Sequence, residues 1–198
     1  MNGDLIDALI AAAHSTISDH ADELTRLDQA IGDGDHGINL KRGFDALLAD
    51  REAIAGLEYP EALHKAGMTL VMKVGGASGP LFGSLLMGMA KAAGRGEDLA
   101  SQLGEGIEMV KKRGKSDVGA KTMLDLLVPV HEALAAGRID DLPQVADDAV
   151  VRTRDMQAMR GRASFLGERS IGHDDPGTSS ARLLVHAVHR LLGERGIL

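Results

Sequence analysis

Three aspartates, Asp28, Asp33 and Asp35, fall within one glycine-rich stretch of the chain, residues 27–37. Glycines flank and separate the last two, and glycine permits the positive φ of a tight turn. Such a turn points all three carboxylates at one place, where they repel one another unless a hard cation neutralises them. An oxygen-only ligand set with room for water and phosphate suits Mg²⁺ better than zinc. The stretch therefore predicts a magnesium-phosphate site.

The overall charge of the chain favours the same interpretation. The sequence has 22 Lys and Arg against 29 Asp and Glu, a net charge of −7, which disfavours non-specific binding of nucleic acid. An acidic protein also repels bare polyphosphate. Three carboxylates and two Mg²⁺ ions together carry one net positive charge, so the loaded cluster attracts a nucleotide that the empty one repels. Nucleotide binding is therefore expected to depend strictly on the metal.

The acidic stretch has two other interpretations. Asp and Gly are ordinary turn residues, so a solvated loop with local capping is one alternative. An EF-hand is excluded because its twelfth position must be Glu. That position is Asn39 when the count starts at Asp28 and Phe44 when it starts at Asp33.

The residues after the acidic stretch are suited to binding an anion. His36 and Asn39 fall near the start of the next predicted helix, where free N–H groups and the helix dipole favour negative charge. His36 could donate to a phosphate, or it could be a plain helix-start histidine.

A second glycine-rich loop, residues 75–83, opens onto another helix and could cradle a phosphate through Ser78 and its neighbours. It is not a Walker A motif, and a tight turn between helices is its alternative.

Three further segments contain candidate site residues. Gly114 and Met123 could frame a flat purine ring, because methionine adapts to such surfaces. The basic run around Gly114 could equally be a solvated helix end. Arg162 and Arg169 lie in a glycine-rich region, and arginine is suited to stabilising a transferring phosphoryl group. Surface ion pairs are the alternative for both arginines.

Hydrophobic periodicity predicts eight helical segments and no strand. The first continues to about Asp28, the second runs from Gly37 past Ile54, and Pro60, Pro80, Asp98, Thr122, Pro143 and Thr178 mark the other starts. Pro129 is expected to kink the sixth. The chain has no Cys and no linker that would divide it, so a single domain over residues 1–198 is expected. No targeting segment or membrane span is predicted, and the cytoplasm is the default location.

The motifs taken together resemble the ADP-binding L subunit of dihydroxyacetone kinase. The resemblance runs from about Asp28 to Leu184 and rests on four segments in order: Ile31–Gly37, Gly75–Gly83, Lys121–Met123 and Gly161–Gly177. One position departs from the family's pattern, because Ala120 stands where an acidic residue often precedes the Lys-Thr-Met step. The departure concerns a local contact of that loop and not the metal site.

The resemblance implies an all-α fold, a closed antiparallel eight-helix barrel with a nucleotide site built from glycine-rich loops at one end. It implies that Asp28, Asp33 and Asp35 hold two Mg²⁺ ions that bridge the phosphates of ADP or ATP, and that Arg162 is catalytic. The residues implied to contact the nucleotide are His36, Gly37, Ile38, Asn39, Ala77, Ser78, Gly114, Met123, Arg162, Asp175, Pro176 and Gly177.

The resemblance also implies partners. Dihydroxyacetone would be held by a separate K subunit, and a phosphohistidine-carrying subunit of the phosphotransferase system would recharge ADP to ATP in place. No nucleic acid or membrane partner is expected, and a homodimer is left open. Two alternatives remain: the L half of a kinase that uses free ATP or another small ketose, and a non-catalytic nucleotide-binding regulatory protein.

Overall fold

The computed structural model describes residues 2–198, which are helical for most of their length and contain no strand. Ten α-helices follow in chain order: α1 Gly3–Asp19, α2 Ala21–Ile31, α3 His36–Ala49, α4 Arg51–Ala55, α5 Tyr59–Lys73, α6 Ser78–Gly94, α7 Leu99–Gly114, α8 Leu124–Ala135, α9 Leu142–Arg154 and α10 Pro176–Glu194. Short 3₁₀ segments occupy Ile139–Asp141 and Arg162–Ser170. No helix among residues 2–198 is both long enough and apolar enough to cross a membrane.

Eight of these helices form a closed ring. In order around the ring they are α1, α3, α5, α6, α7, α8, α9 and α10, and α10 packs back onto α1. The eight-helix barrel expected from the resemblance is therefore confirmed. The two remaining helices are not members of the ring. The first, α2, contacts α3 and α10, and the short α4 contacts α1 and α5.

The prediction of eight separate segments was wrong at two junctions. The first predicted helix is divided at His20 (φ −109°, ψ 8°), and the second at Asp50 (φ −95°, ψ 5°). Neither break has the Gly or Pro that usually marks one. At the first, His20 Nδ1 donates to the Thr16 carbonyl at 2.8 Å, which engages a carbonyl of the last turn of α1.

The other helix boundaries follow local signals. Asn2, Asp98 and Asp175 each accept a backbone N–H of the first turn that follows, at 3.0, 2.8 and 2.7 Å, as capping side chains do. Pro60 and Pro143 lie in the first turns of α5 and α9, where a missing N–H has no cost. Pro129 lies inside α8, which continues through it to Ala135.

The core that fills the barrel consists mainly of Leu, Ile, Val and Ala, because only 2% of the chain is aromatic; Phe44, Phe82 and Met123 also belong to it. Small residues allow the ring helices to approach closely. A Cβ on Gly67 of α5 would lie 2.8 Å from the Gly83 carbonyl of α6, and one on Gly88 would lie 2.6 Å from Gly106 Cα of α7. Both distances are shorter than van der Waals contact, so glycine is required for this packing.

Candidate nucleotide and metal site

The three aspartates meet at the junction of α2 and α3. Asp28 comes from the last turns of α2, and Asp33 and Asp35 come from the connection to α3. Each offers a carboxylate oxygen, and these oxygens lie within 4.8 Å of one another. Such an all-oxygen cluster fits hard divalent cations such as Mg²⁺, which prefer carboxylates together with water and phosphate. Asp33 is the exposed member, so the cluster is open to an incoming phosphate.

The turn is built around the Asp28 carboxylate. Its Oδ2 accepts the backbone N–H groups of Asp35 at 2.8 Å and of His36 at 3.2 Å, two donors at the start of α3 that lack helical partners. A Cβ on Gly32 would collide with Asp28 Oδ1, and Gly34 has a φ of +72°. These contacts orient the carboxylate before any ligand arrives, which favours a cation site over an ordinary solvated turn.

His36 is buried at the start of α3 and lies between two serines. Its Nδ1 is 2.9 Å from Ser78 Oγ and its Nε2 is 3.0 Å from Ser180 Oγ. Ser180 Oγ donates to the Gly177 carbonyl at 3.1 Å, so it accepts from Nε2–H, and Nδ1 accepts from the Ser78 hydroxyl. In this arrangement the ring orients Ser78 and offers no free N–H to a phosphate.

Burial also keeps the His36 ring neutral. Desolvation lowers its pKa from 6.5 to about 4, although the nearby carboxylates of Asp28 and Asp35 and a backbone hydrogen bond with Pro176 favour the protonated form. A neutral imidazole has one donor and one acceptor nitrogen, which matches the two serine contacts.

The second glycine-rich loop borders the acidic cluster. A Cβ on Gly75 would lie 2.6 Å from Asn39 Oδ1, and one on Gly76 would lie 3.8 Å from Asp35 Oδ1. Asn39 is buried, and its Oδ1 accepts from Arg42 Nη2 at 2.8 Å. Asn39 is therefore placed to support this loop.

The other residues predicted to contact the nucleotide near this loop have different surroundings. Ala77 and Ser78 lie at the start of α6, and Ile38 is exposed. Gly37 packs against α2, where a Cβ would strike the Ala21 carbonyl.

Arg162 reaches the acidic cluster from a distant part of the chain. Its Nε lies 2.8 Å from Asp33 Oδ2, while 69% of its side chain remains exposed. Arg169 is exposed and lies further along the same 3₁₀ segment. The structure thus brings one of the two candidate arginines to the carboxylates. The guanidinium is therefore exposed at the edge of the acidic cluster.

The loop before α8 and the start of α10 meet beside this cluster. Met123 is buried, and a Cβ on Gly177 would lie 3.8 Å from it. Thr178 Oγ1 donates to the Thr122 carbonyl at 3.1 Å, and Asp175 Oδ2 accepts from Thr178 N at 2.7 Å. Gly114 ends α7, where a Cβ on it would face Leu81.

Burial shifts the pKa of the Asp175 carboxyl upward, from 3.8 to about 6. Desolvation is the largest cause, and the negative charge of Asp125 adds to it. Hydrogen bonds from Thr178 and the positive charge of Lys121 oppose the rise.

Two buried charged residues in the same region had no assigned role from sequence. Asp125 Oδ1 and Oδ2 accept the N–H groups of Gly119 at 2.6 Å and Thr122 at 2.8 Å. The spacing Thr122-x-x-Asp125 is that of a capping box, a signal that could have identified it. Lys121 lies in the Lys-Thr-Met motif, but nothing local indicates where its ammonium points. Ala120 is buried, and its carbonyl accepts from Met159 N at 3.0 Å.

Comparison with known proteins assigns this architecture to a family. The model of the DAK2 domain matches residues 30–190, which include every candidate site residue except Asp28. The chain belongs to the DAK2 domain family. The PEP-dependent dihydroxyacetone kinase 1, ADP-binding subunit DhaL, of Listeria innocua is 47% identical over 169 residues, covering 83% of this chain and 84% of the relative. The corresponding subunit of Escherichia coli is 41% identical over 182 residues, covering 85% and 87%.

Longer proteins also contain a DAK2-like region. The L-erythrulose 1-kinase of Mycolicibacterium smegmatis is 34% identical over 92% of this chain, which spans only 34% of that kinase. Among solved structures, the native dihydroxyacetone kinase of C. freundii has a TM-score of 0.81 with 22% identity, over 94% of this chain and 34% of that one. The same kinase in complex with AMP-PNP and Mg²⁺ has a TM-score of 0.80. These two structures share the fold of this chain.

Proposed function

We propose that this chain is the nucleotide-binding subunit of a dihydroxyacetone kinase. In the proposed reaction, the γ-phosphoryl group of bound ATP passes to dihydroxyacetone held on a separate K subunit. The resulting ADP stays bound and is rephosphorylated in place by a phosphohistidine-carrying subunit of the phosphotransferase system. The clustering of Asp28, Asp33 and Asp35 with Arg162 is the observation that carries the proposal, and the DhaL relatives supply its substrate class.

The triad is proposed to hold two Mg²⁺ ions, which would neutralise and bridge the phosphates of ADP or ATP. Phosphoryl transfer depends mostly on positioning and charge neutralisation, and this chain's residues are suited to both. Asp28 is oriented by the start of α3, and Ser78 is oriented by His36. Arg162 would release Asp33 and contact the transferring group. The sugar hydroxyl would lose its proton to a group on the K subunit.

The remaining predicted residues are proposed to enclose the nucleotide. Gly37, Ile38 and Asn39 lie beside the triad with Ala77 and Ser78, so they are assigned to the phosphates. Met123 and Gly114 are assigned to the base, and the start of α10, residues 175–177, to the side of the pocket next to Met123. The phosphohistidine donor would place the protein in the cytoplasm, where phosphoenolpyruvate is made.

A second candidate function is the same chemistry on another small ketose. The erythrulose kinases of Mycolicibacterium smegmatis are 34% and 32% identical to this chain over 92% and 93% of its length. This chain spans only 34% of each, and the sugar is proposed to be held outside this matched region. The choice of ketose would then be made by the K subunit. A regulatory protein that binds nucleotide without catalysis is the weaker alternative, because Arg162 meets the triad.

The identity of the retained ligand tests the proposal. The purified protein is denatured, and the released nucleotide and metal are identified by chromatography and elemental analysis. ADP held tightly with Mg²⁺ is expected. If the site were empty and the chain turned over free ATP many times with a K subunit, the donor assignment would be wrong.

The metal assignment is tested by Asp33→Asn, with Asp22→Asn as a control on the exposed surface of α2. Because Mg²⁺ tolerates the loss of a ligand charge poorly, Asp33→Asn is expected to lose most of its Mg²⁺-dependent nucleotide affinity. The control is expected to bind like the wild type. Equal affinity in both variants would refute the metal site.

A further inference from the structure

Lys121 is a fully buried lysine whose ammonium group contacts only backbone. One percent of the residue is exposed. Its Nζ donates to the carbonyls of Ser170 at 2.7 Å, Met156 at 3.0 Å and Arg154 at 3.2 Å. The residue has a left-handed backbone conformation, with φ of +57°, which is uncommon for a side chain of this size. All three protons of the ammonium are therefore used.

The three carbonyls belong to the two ends of one excursion of the chain. This excursion, residues 154–172, is here called the Arg162 arm. Arg154 and Met156 stand at its beginning and Ser170 near its end, so a single ammonium ties both ends together. Two further hydrogen bonds close the same base: Gly172 N donates to Arg154 O at 2.8 Å, and Ala158 N donates to Ser170 Oγ at 2.9 Å.

The outer part of the Arg162 arm has few anchors of its own. Ala163 and Leu166 pack on Ile31 at the end of α2, and Arg160 Nε donates to the Lys115 carbonyl at 2.9 Å. Phe165, by contrast, is 88% exposed, and Arg162 itself is mostly exposed. The position of the guanidinium over Asp33 therefore depends on how firmly the base of the arm is held.

Only a charged lysine can satisfy all three carbonyls, because the ammonium has three donors and the neutral amine has two. Burial lowers the pKa of Lys121, and the carboxylates of Asp175, Asp174 and Asp155 favour the charged form. An aliphatic side chain of similar length would fill the same space but would take the lysine donor away from the carbonyls of Met156 and Ser170, while Arg154 O would keep only the N–H of Gly172.

We propose that Lys121 is a positioning residue for Arg162, which clamps the base of the Arg162 arm so that the guanidinium lies over the phosphate-transfer site. The inference deepens the proposed function and rests on it. Lys121 also adjoins the loop that carries Met123, so it joins the segment assigned to the base and the segment assigned to the phosphates. A residue that only stabilised the fold would have no particular link to Arg162.

Two measurements on the full chain separate these roles. The first is amide hydrogen exchange of the protein alone, comparing the wild type with Lys121→Met and with Lys112→Met, an exposed lysine of α7. In Lys121→Met we expect the amides of Ala158, Met159 and Gly172 to exchange at least tenfold faster, with unchanged exchange in the ring helices. Lys112→Met is expected to match the wild type. Unchanged exchange of those three amides in Lys121→Met would overturn the inference.

The second measurement is phosphoryl transfer with the K subunit. Lys121→Met is expected to lower the transfer rate at least tenfold while nucleotide affinity stays within about threefold, because the aspartate triad is untouched. Combined with Arg162→Met, it is expected to add less than a twofold further loss, since both changes remove the same contact. If the losses of transfer rate in Lys121→Met and Arg162→Met multiplied in the double variant, Lys121 would have a general structural role. The same would hold if Lys121→Met lowered nucleotide affinity as much as the transfer rate.

A second variant covers the case in which Lys121→Met does not fold. Ser170→Ala keeps the lysine and removes the hydroxyl that accepts from Ala158 N and donates to the Gly167 carbonyl. It is expected to loosen the arm and slow transfer in the same direction, and faster exchange of the arm with an unchanged transfer rate would contradict the inference. If wild-type protein failed to transfer phosphate at all, the proposed function would fail, while the exchange measurement would still test the clamp.

Discussion

Arg162 and Asp33, separated by 129 positions in the chain, form an ion pair with 2.8 Å between Nε and Oδ2. Asp33 is also one of the three carboxylates that fit a divalent cation. A cation held by the triad would therefore compete with the guanidinium for one carboxylate. Loading of the metal is expected to free Arg162, which is then available to a transferring phosphoryl group.

This competition predicts opposite effects of Arg162→Met on metal binding and on transfer. Without nucleotide, the affinity for Mg²⁺ is expected to rise about two- to fivefold, because an exposed ion pair contributes on the order of 1 kcal/mol or less. Transfer with the K subunit is expected to fall about a hundredfold or more, as for other arginines that stabilise this transition state. Calorimetric titration and a coupled assay measure the two, with exposed Arg169→Met as the control. Unchanged metal affinity would contradict the competition.

A second prediction concerns Gly32. Alanine at this position would place Cβ against Asp28 Oδ1, so the carboxylate must move away from the cluster. We expect Mg²⁺-dependent nucleotide affinity to fall at least tenfold, with little change in helix content. Gly193→Ala is the matched control, because a Cβ there meets nothing within 4 Å. Normal affinity in Gly32→Ala would show that the Asp28 orientation is not needed.

A third prediction concerns the tautomer of His36. Nitrogen NMR at neutral pH is expected to show a neutral ring with Nε2 protonated, because Ser180 accepts from Nε2 and Ser78 donates to Nδ1. Ser180→Ala removes that acceptor and is expected to weaken nucleotide binding about three- to tenfold, which corresponds to the net free energy of one hydrogen bond. Ser179→Ala is the neighbouring control. A ring protonated at Nδ1 would refute the assignment.

A fourth prediction concerns the pH dependence of stability at Asp175. Its pKa is raised from 3.8 to about 6 in the folded protein. Between these values the folded state keeps a proton that the unfolded state has lost, so this group's contribution to stability falls as pH rises through that window and is flat above it. Asp175→Asn keeps a neutral acceptor for Thr178 N and removes the effect.

Urea unfolding of Asp175→Asn against wild type measures this contribution. At pH 7.5 the variant is expected to be more stable by on the order of 1 to 2 kcal/mol, below the full value of the pKa shift because part of the side chain is solvent-accessible. The difference should vanish near pH 4. Exposed Asp22→Asn is the control, and a gap that widened on acidification would reverse the sign and refute the assignment.

Signals within a few residues of each other in the sequence account for the correct predictions of the clustering of the three aspartates and of most helix starts. The metal triad lies within eight consecutive residues, so the chain itself keeps its members close and glycine supplies the turn. Asp98 and the helix-starting prolines act on the turn that follows them, which is why those boundaries were placed correctly. The breaks at His20 and Asp50 were missed because each lies within a continuous apolar pattern without Gly or Pro, while the helices that follow them pack on α10 and α1, which the local pattern does not reveal.

The amino-acid sequence by itself determined the all-helical class, the acidic turn and the list of glycine-rich loops, because each depends on residues a few positions apart. Tertiary structure alone decided which of these meet. Ser78 and Ser180 reach His36 across 42 and 144 positions, and the Lys121 ammonium finds its carbonyls 33 to 49 positions away. A buried polar group must find a partner wherever the packed barrel brings one, and that choice depends on the whole ring of helices.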